Sequence, residues 1–260
     1  MRRVAQSRFF EPLLARYARS PSIALCRVPE LELLSALPLE GAVLDHCCGD
    51  GLIAALAFPG RQLAAGFDLD APRLAVARAR GNYLRVELAD AAAELPFEAS
   101  SFDAVINNSA LEHIPDLDRV LAQIARVLRR GGRLHFNVLN TRFFDWWPLS
   151  SQARRDYREF QPFYHAFDER GWTEALGRHG FGAVEFRDYF PRASAEVLAD
   201  YDYRYSALYL RRRLSPGPLL AVVAPPALAR ARWQRLFGEL EWEAAPGKGG
   251  GFLVSAVRSA

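Results

Sequence analysis

Between residues 42 and 139, short apolar runs alternate with helical patterns, and several of the runs end on an acidic or amide residue. That alternation narrows the fold more than any other feature. Ala42-Val43-Leu44-Asp45 follows Gly41 as an unbroken apolar run, the kind buried on both faces of a parallel sheet. Residues 63–68, 83–88, 104–107 and 134–139 repeat it. Between them the pattern turns helical. One helix covers Leu52 to Phe58 and ends at Pro59-Gly60; another opens at Pro72 and ends near Gly81. A third has apolar residues at 117, 120, 121, 124, 127 and 128 and stops at Gly131-Gly132. Strands alternating with helices require right-handed crossovers. The expected fold is α/β, a doubly wound, mostly parallel seven-stranded sheet of Rossmann-like type.

The flanks complete it. Residues 8–37 read as helical, with Phe9, Phe10, Leu13, Leu14 and Tyr17 at helical spacing and a second short helix starting at Pro29. Beyond Asn140 come an aromatic segment (Phe143, Phe144, Trp146, Trp147), a helix over 168–179 and a strand over 183–190. Residues 194–240 read as a helical insertion rich in Arg and Tyr, and Gly249-Gly250-Gly251 leads into a last strand at 252–257, expected antiparallel. The expected organisation is an N-terminal helical cap (1–40), a core (41–193), an insertion or lid (194–240) and the last strand of the core sheet (241–260).

Composition excludes several classes. Half of the residues are apolar, enough for a substantial core. A net charge of +3 gives no footprint for a nucleic-acid partner. Three cysteines, with Cys47 and Cys48 adjacent, make a poor disulfide framework and no zinc-like spacing, so no metal site and a reducing, cytoplasmic setting are expected. Met1-Arg2-Arg3 is not followed by a long apolar run, so no leader is expected. The run from Leu219 to Ala229 is too short, and broken by Pro225-Pro226, to span a bilayer, which needs about 20 residues.

The chemistry sits just past successive strands. After the first comes Asp45-His46-Cys47-Cys48-Gly49-Asp50-Gly51, where small residues admit a ligand to the backbone and the next helix offers free N–H groups. Asp68, with Leu69 beside it, ends the second strand, placed to accept both hydroxyls of a ribose. Asp90-Ala91 follows the third, a carboxylate next to an N–H that can read an adenine edge. Asn107-Asn108-Ser109 follows the fourth, on the substrate side of the crevice. Singly, such residues are turns or helix N-caps. At four consecutive strand ends they point to one adenosine-containing ligand. The third glycine of a dinucleotide fingerprint is missing, which argues against a nicotinamide cofactor.

These motifs resemble those of the class I S-adenosylmethionine-dependent methyltransferases, in the small-molecule branch of methyltransferase type 11. The resemblance rests on Val43-Leu44-Asp45-x-x-Cys48-Gly49-Asp50-Gly51, Gly66-Phe67-Asp68, Ala89-Asp90-Ala91 through Leu95-Pro96-Phe97, Ser101-Phe102-Asp103, Leu111-Glu112-His113-Ile114-Pro115-Asp116 and Arg126-Val127-Leu128-Arg129-Arg130-Gly131-Gly132. It covers residues 40–140 closely. One position departs: the family usually has glycine where this chain has Cys47. The resemblance implies S-adenosylmethionine as cofactor and in-line transfer of its methyl group. It places Asp45, Cys47, Gly49, Gly51 and Asn107 around the methionine part, Asp68 on the ribose and Asp90 on the adenine amino group. Arg27 is a candidate partner for the cofactor carboxylate and Tyr17 a candidate cover, each weighed against plain packing.

For a hydroxyl acceptor the candidate bases are His113, with an unperturbed pKa of about 6.5, Glu112, His165 and Tyr164. The expected partner is a small molecule: a secondary metabolite, sugar or lipid-linked acceptor, facing Phe143 to Trp147 or the run Tyr201, Tyr203, Tyr205, Tyr209. Nucleic-acid or protein methylation and non-catalytic cofactor binding are the alternatives. Arg211-Arg212-Arg213 reads as a solvated helix end in preference to a membrane contact.

Overall fold

In the computed structural model, residues 2–18, 20–209 and 226–259 are described. Seven strands form one mixed, mostly parallel sheet: β1 (Val43–His46), β2 (Leu63–Asp68), β3 (Tyr83–Leu88), β4 (Phe102–Asn108), β5 (Leu128–Leu139), β6 (Phe181–Pro191) and β7 (Gly249–Arg258). Their order is β3-β2-β1-β4-β5-β7-β6. The pairs β1·β2, β1·β4, β2·β3 and β4·β5 are all parallel. The chain winds outwards from β1 in one direction to β3 and in the other through β4. The doubly wound α/β expectation is met.

The helices are α1 (Phe10–Arg16), α2 (Pro21–Ser35), α3 (Leu52–Ala57), α4 (Ala71–Arg80), α5 (Leu117–Val127), α6 (Thr141–Asp145), α7 (Ser151–Phe160), α8 (Glu169–Arg178), α9 (Arg192–Tyr209) and α10 (Pro226–Phe237). Local chemistry explains most of the boundaries. The side chain of Asp70 caps Arg73 N–H of α4, Asp116 caps Arg119 of α5 and Asp168 caps Gly171 of α8. Gly81, at φ +73°, closes α4 in the left-handed region.

Two boundaries differ from the sequence reading. Pro29 does not open a helix but lies inside α2. A proline there loses one helical hydrogen bond; the buried residues Ala24, Leu25, Val28, Leu31 and Leu34 outweigh that loss. Gly131-Gly132 does not stop α5, which ends at Val127. The glycines lie within β5, where the pairing slips from Phe102↔Leu128 to Ala104↔Arg133. Gly131 has φ +75°, and a Cβ on Gly132 would come within 2.8 Å of Arg129 O, so this irregularity requires glycine.

By internal contacts the chain divides into two compact units. One comprises Leu33–Leu139, Tyr164–Arg187 and Phe252–Ala260. Its core joins Leu44, Phe67, Val105, Leu134 and Phe136 to Val120, Leu121 and Ile124 of α5 and Trp172 and Leu176 of α8. The other comprises Met1–Glu32, Asn140–Phe163 and Asp188–Gly251. There Trp147 meets Phe143, Phe144 and Tyr157 edge-on, and Tyr201 meets Trp233 and Phe237. Arg211 to Arg213 lie outside the described residues. Among the described residues, no helix is long and apolar enough to cross a membrane.

Candidate functional site

The parallel register aligns the carboxyl ends of the central strands: His46 stands opposite Phe67 on one side and Asn107 on the other, and Asp68 opposite Leu88. Asp45, Cys47, Gly49, Gly51, Asp68, Leu69, Asp90, Ala91 and Asn107 therefore gather at one edge of the sheet.

The turn after β1 is tightly specified. Gly49 and Gly51 have φ +55° and +75°. A Cβ on Gly51 would press against the Tyr83 ring at 3.0 Å, whereas one on Gly49 would find no protein atom nearer than 3.9 Å. Gly51 packs against protein, whereas Gly49 meets only the tip of the Arg73 side chain. Cys47 also adopts a left-handed φ, +59°, a conformation that costs a side-chain-bearing residue about 1 kcal/mol. Asn107 organises this turn from β4. Its Oδ1 accepts from Ala110 N–H at 3.3 Å, and its Nδ2 lies 3.0 Å from both the carbonyl and Nδ1 of His46. Since Nδ2 is a donor, Nδ1 of His46 is an acceptor. Burial brings the His46 pKa down to about 3, so the ring stays neutral.

Three carboxylates surround the turn. Asp68 accepts from Gly49 N–H at 2.8 Å and from Asp70 N–H at 3.0 Å, one bond on each oxygen. Asp90 accepts from Ala92 N–H at 2.9 Å, while Ala91 is buried in the core. Asp45 is buried and accepts from the Tyr83 hydroxyl at 2.6 Å. Burial, reinforced by the charge of Asp68 and opposed by the Tyr83 hydrogen bond, pushes the Asp45 pKa up to about 7. Burial pushes the Cys47 thiol up, and the charges of Asp68, Asp45 and Asp90 push in the same direction.

A methyltransferase-domain family model matches residues 44–136, the segment that carries these strand ends. A ubiquinone/menaquinone biosynthesis C-methyltransferase of Sinorhizobium fredii is 31% identical over 172 residues, 56% of this chain and 67% of that protein. The chain belongs to the S-adenosylmethionine-dependent methyltransferase family. A ubiquinone biosynthesis O-methyltransferase of Xanthomonas oryzae pv. oryzae is 39% identical over 120 residues, 42% of this chain and 48% of that one, so the match spans about half of this relative's length. The fold is similar to that of a solved S-adenosylmethionine-dependent methyltransferase of Thermotoga maritima, described as a possible histamine N-methyltransferase. The TM-score is 0.62 at 16% identity, with 96% of this chain and all of that one covered.

The residues present fit the family's cofactor. Each Asp68 oxygen accepts one backbone bond and keeps lone-pair capacity for a ribose hydroxyl. Over Gly49 only the end of the flexible Arg73 side chain comes near, at 3.9 Å from a built Cβ, so the backbone there is approachable by the methionine part. Leu69, 69% exposed beside Asp68, offers an apolar surface at the same strand end.

The candidate bases lie around the turn after β4. His113 is half-buried in a one-turn 3-10 helix, Leu111–His113. Tyr164 N–H donates to Glu112 C=O at 2.8 Å, and its side chain is exposed. His165 Nε2 lies 2.9 Å from Ile114 O and 3.1 Å from Pro115 O, so it carries the proton and donates to those carbonyls. Glu112 is buried.

Tyr17 and Arg27 belong to the other unit. Arg27 pairs with buried Glu30 at 2.5 Å, and Arg16 lies over the Tyr17 ring. Tyr83 escaped the sequence reading. It is the first residue of β3, and nothing in its neighbourhood along the chain announces a hydroxyl aimed at Asp45, 38 residues earlier. Among the described residues, no cluster of His, Cys, Asp and Glu could hold a metal ion.

Proposed function

We propose that this chain transfers the methyl group of S-adenosylmethionine to a small-molecule acceptor. The placement of Asp45, Asp68 and Asp90 at or just past the aligned ends of β1, β2 and β3, with Asp68 bonded to Gly49 N–H of the turn, carries this reading. The cofactor, when bound, supplies an electrophilic methyl group on a sulfonium whose departure leaves a neutral thioether. The protein's part is to hold, orient and exclude water. Asp68 takes the ribose hydroxyls. Asp90 accepts from the adenine amino group, with Ala91 N–H beside it and Leu69 against the ring. Asp45, oriented by Tyr83, faces the cationic methionine end, whose charge favours the ionised carboxylate. The backbone of Cys47 to Gly49, braced by Asn107, holds the ammonium group.

The relatives named for quinone biosynthesis support a small-molecule acceptor, as does a net charge of only +3. One is named an O- and the other a C-methyltransferase, so they leave the methylated atom open. For a hydroxyl acceptor, His113 is the candidate base, since His165 Nε2 is turned to two carbonyls and Tyr164 to solvent.

Calorimetric titration with S-adenosylmethionine tests the binding half. Transfer of a labelled methyl group to a panel of phenols, quinols, amines and sugars, read by mass spectrometry, tests the chemistry. Affinity on the order of 10 μM, about −7 kcal/mol, with a labelled small-molecule product, is expected. No binding at millimolar cofactor would overturn the proposal.

A further inference from the structure

The outermost strand of the sheet carries a self-complementary sequence. Residues 84–88 of β3 read Leu-Arg-Val-Glu-Leu, and β3 is an edge strand. Leu84 is 72% and Leu88 56% exposed, and Val76 on α4, which packs beside β3, is 45% exposed. Arg85 and Glu87 pair with one another at 2.6 Å, with both side chains partly in solvent.

The ladder shows which peptide groups face outwards. Asp68 stands opposite Leu88, and Ala89 N–H donates to Asp68 C=O. Residues 87 and 89 thus turn their peptide groups towards β2, and Val86 and Leu88 turn theirs to the open edge. Arg78 Nη2 reaches the Val86 carbonyl there at 2.9 Å, from an exposed position on α4.

An antiparallel pairing of this edge with itself, about a two-fold axis at Val86, sets Arg85 opposite Glu87 of the second copy and Leu84 opposite Leu88. By symmetry each match occurs twice. Moving the axis to residue 85 or 87 sets arginine against arginine or glutamate against glutamate, and exposed leucines no longer meet. The charge pattern therefore selects one register. An edge strand that avoids pairing is commonly blunted by charged side chains or by proline; on β3 itself the charges are of opposite sign and the flanking residues apolar, and the exposed Arg78 side chain on the Val86 carbonyl must swing aside for a second strand to pair.

We propose that this chain associates with a second copy of itself through β3, extending the sheet across a two-fold axis at Val86. The strand is short, and such an interface falls at the small end of specific contacts, so the dissociation constant is expected at about 1–100 μM. The strand so braced is the one that supplies Tyr83 and leads into Asp90.

Sedimentation equilibrium of the full chain from about 1 to 300 μM brackets that range and is the test, with circular dichroism melting to confirm that each variant is folded. Glu87→Arg opposes arginine to arginine twice and is expected to weaken the dimer about tenfold or more. Adding Arg85→Glu to it is expected to restore the affinity to within about threefold of wild type. Val86→Cys, which leaves the charges in place, is expected to give a disulfide-linked dimer on oxidation, whereas wild type and Leu84→Cys are not. A chain that stays monomeric throughout, a dimer indifferent to Glu87→Arg, or absence of the Val86→Cys cross-link overturns the proposal.

Discussion

Asp68 and Asp90 accept from backbone N–H groups of the loops at the strand ends, whereas Asp202 on α9 accepts from the side chains of Tyr157 on α7 and Ser22 on α2. Asp68 and Asp202 are half-buried and Asp90 is exposed, and the two arrangements serve different ends. A carboxylate held by local backbone keeps its outer lone pairs aimed away from the loop, where a ligand can use them. One surrounded by side chains from two other helices is a cross-brace within its own unit. Burial pushes its pKa up, and the two hydroxyl bonds oppose that shift. Glu30, tied to Arg27 and reached by the Cys26 thiol, belongs to the same second kind.

The contrast can be broken from either side. Asp68→Ala has the largest expected effect. On the proposed reading it removes the acceptor of both ribose hydroxyls, and cofactor affinity should fall about 100-fold, or roughly 2.7 kcal/mol, by calorimetry. Unchanged affinity would separate Asp68 from the ligand altogether. Asp202→Ala should do the reverse, lowering stability to urea by about 2 kcal/mol as two buried hydroxyls lose their acceptor, with cofactor affinity kept within about twofold.

Asp45 adds a pH dependence to this contrast. Its pKa in the folded chain is about 7, above the unfolded value of about 3.9. The folded state therefore binds the extra proton between those limits. This group's contribution to stability is greatest at acid pH and falls as pH rises towards 7. A cationic ligand favours the ionised form, so cofactor affinity should drop about fivefold between pH 7 and pH 6, and Asp45→Asn should abolish that component. A slope that survives in Asp45→Asn would assign it to another group. The smallest effect is expected for Cys47→Gly, which relieves the left-handed backbone and should raise stability by about 1 kcal/mol in thermal melts.

How far each region could be read from sequence follows from the same contrast. The strands from β1 to β5, the acids at the ends of the first three and the caps of α4, α5 and α8 depend on periodicity and on bonds within a few residues, so their signals stand side by side in the chain. Pro29 inside α2 and Gly131-Gly132 inside β5 misled because local propensity gave way to burial in one case and to strand pairing in the other. Tyr83 on Asp45 and Tyr157 on Asp202 join residues 38 and 45 positions apart, and no local pattern encodes either meeting.

The alternating architecture, the row of acids at the strand ends and the likeness to a methyltransferase family can all be read along the chain. That Asp68 bonds back to Gly49 of the first turn, that Asp45 is buried and bound to Tyr83, and that His165 is turned to backbone carbonyls emerge only from the folded arrangement. Hydrogen bonds to neighbouring backbone and the period of apolar residues are short-range along the chain. Desolvation and contacts between distant side chains come into being only when packing brings them together.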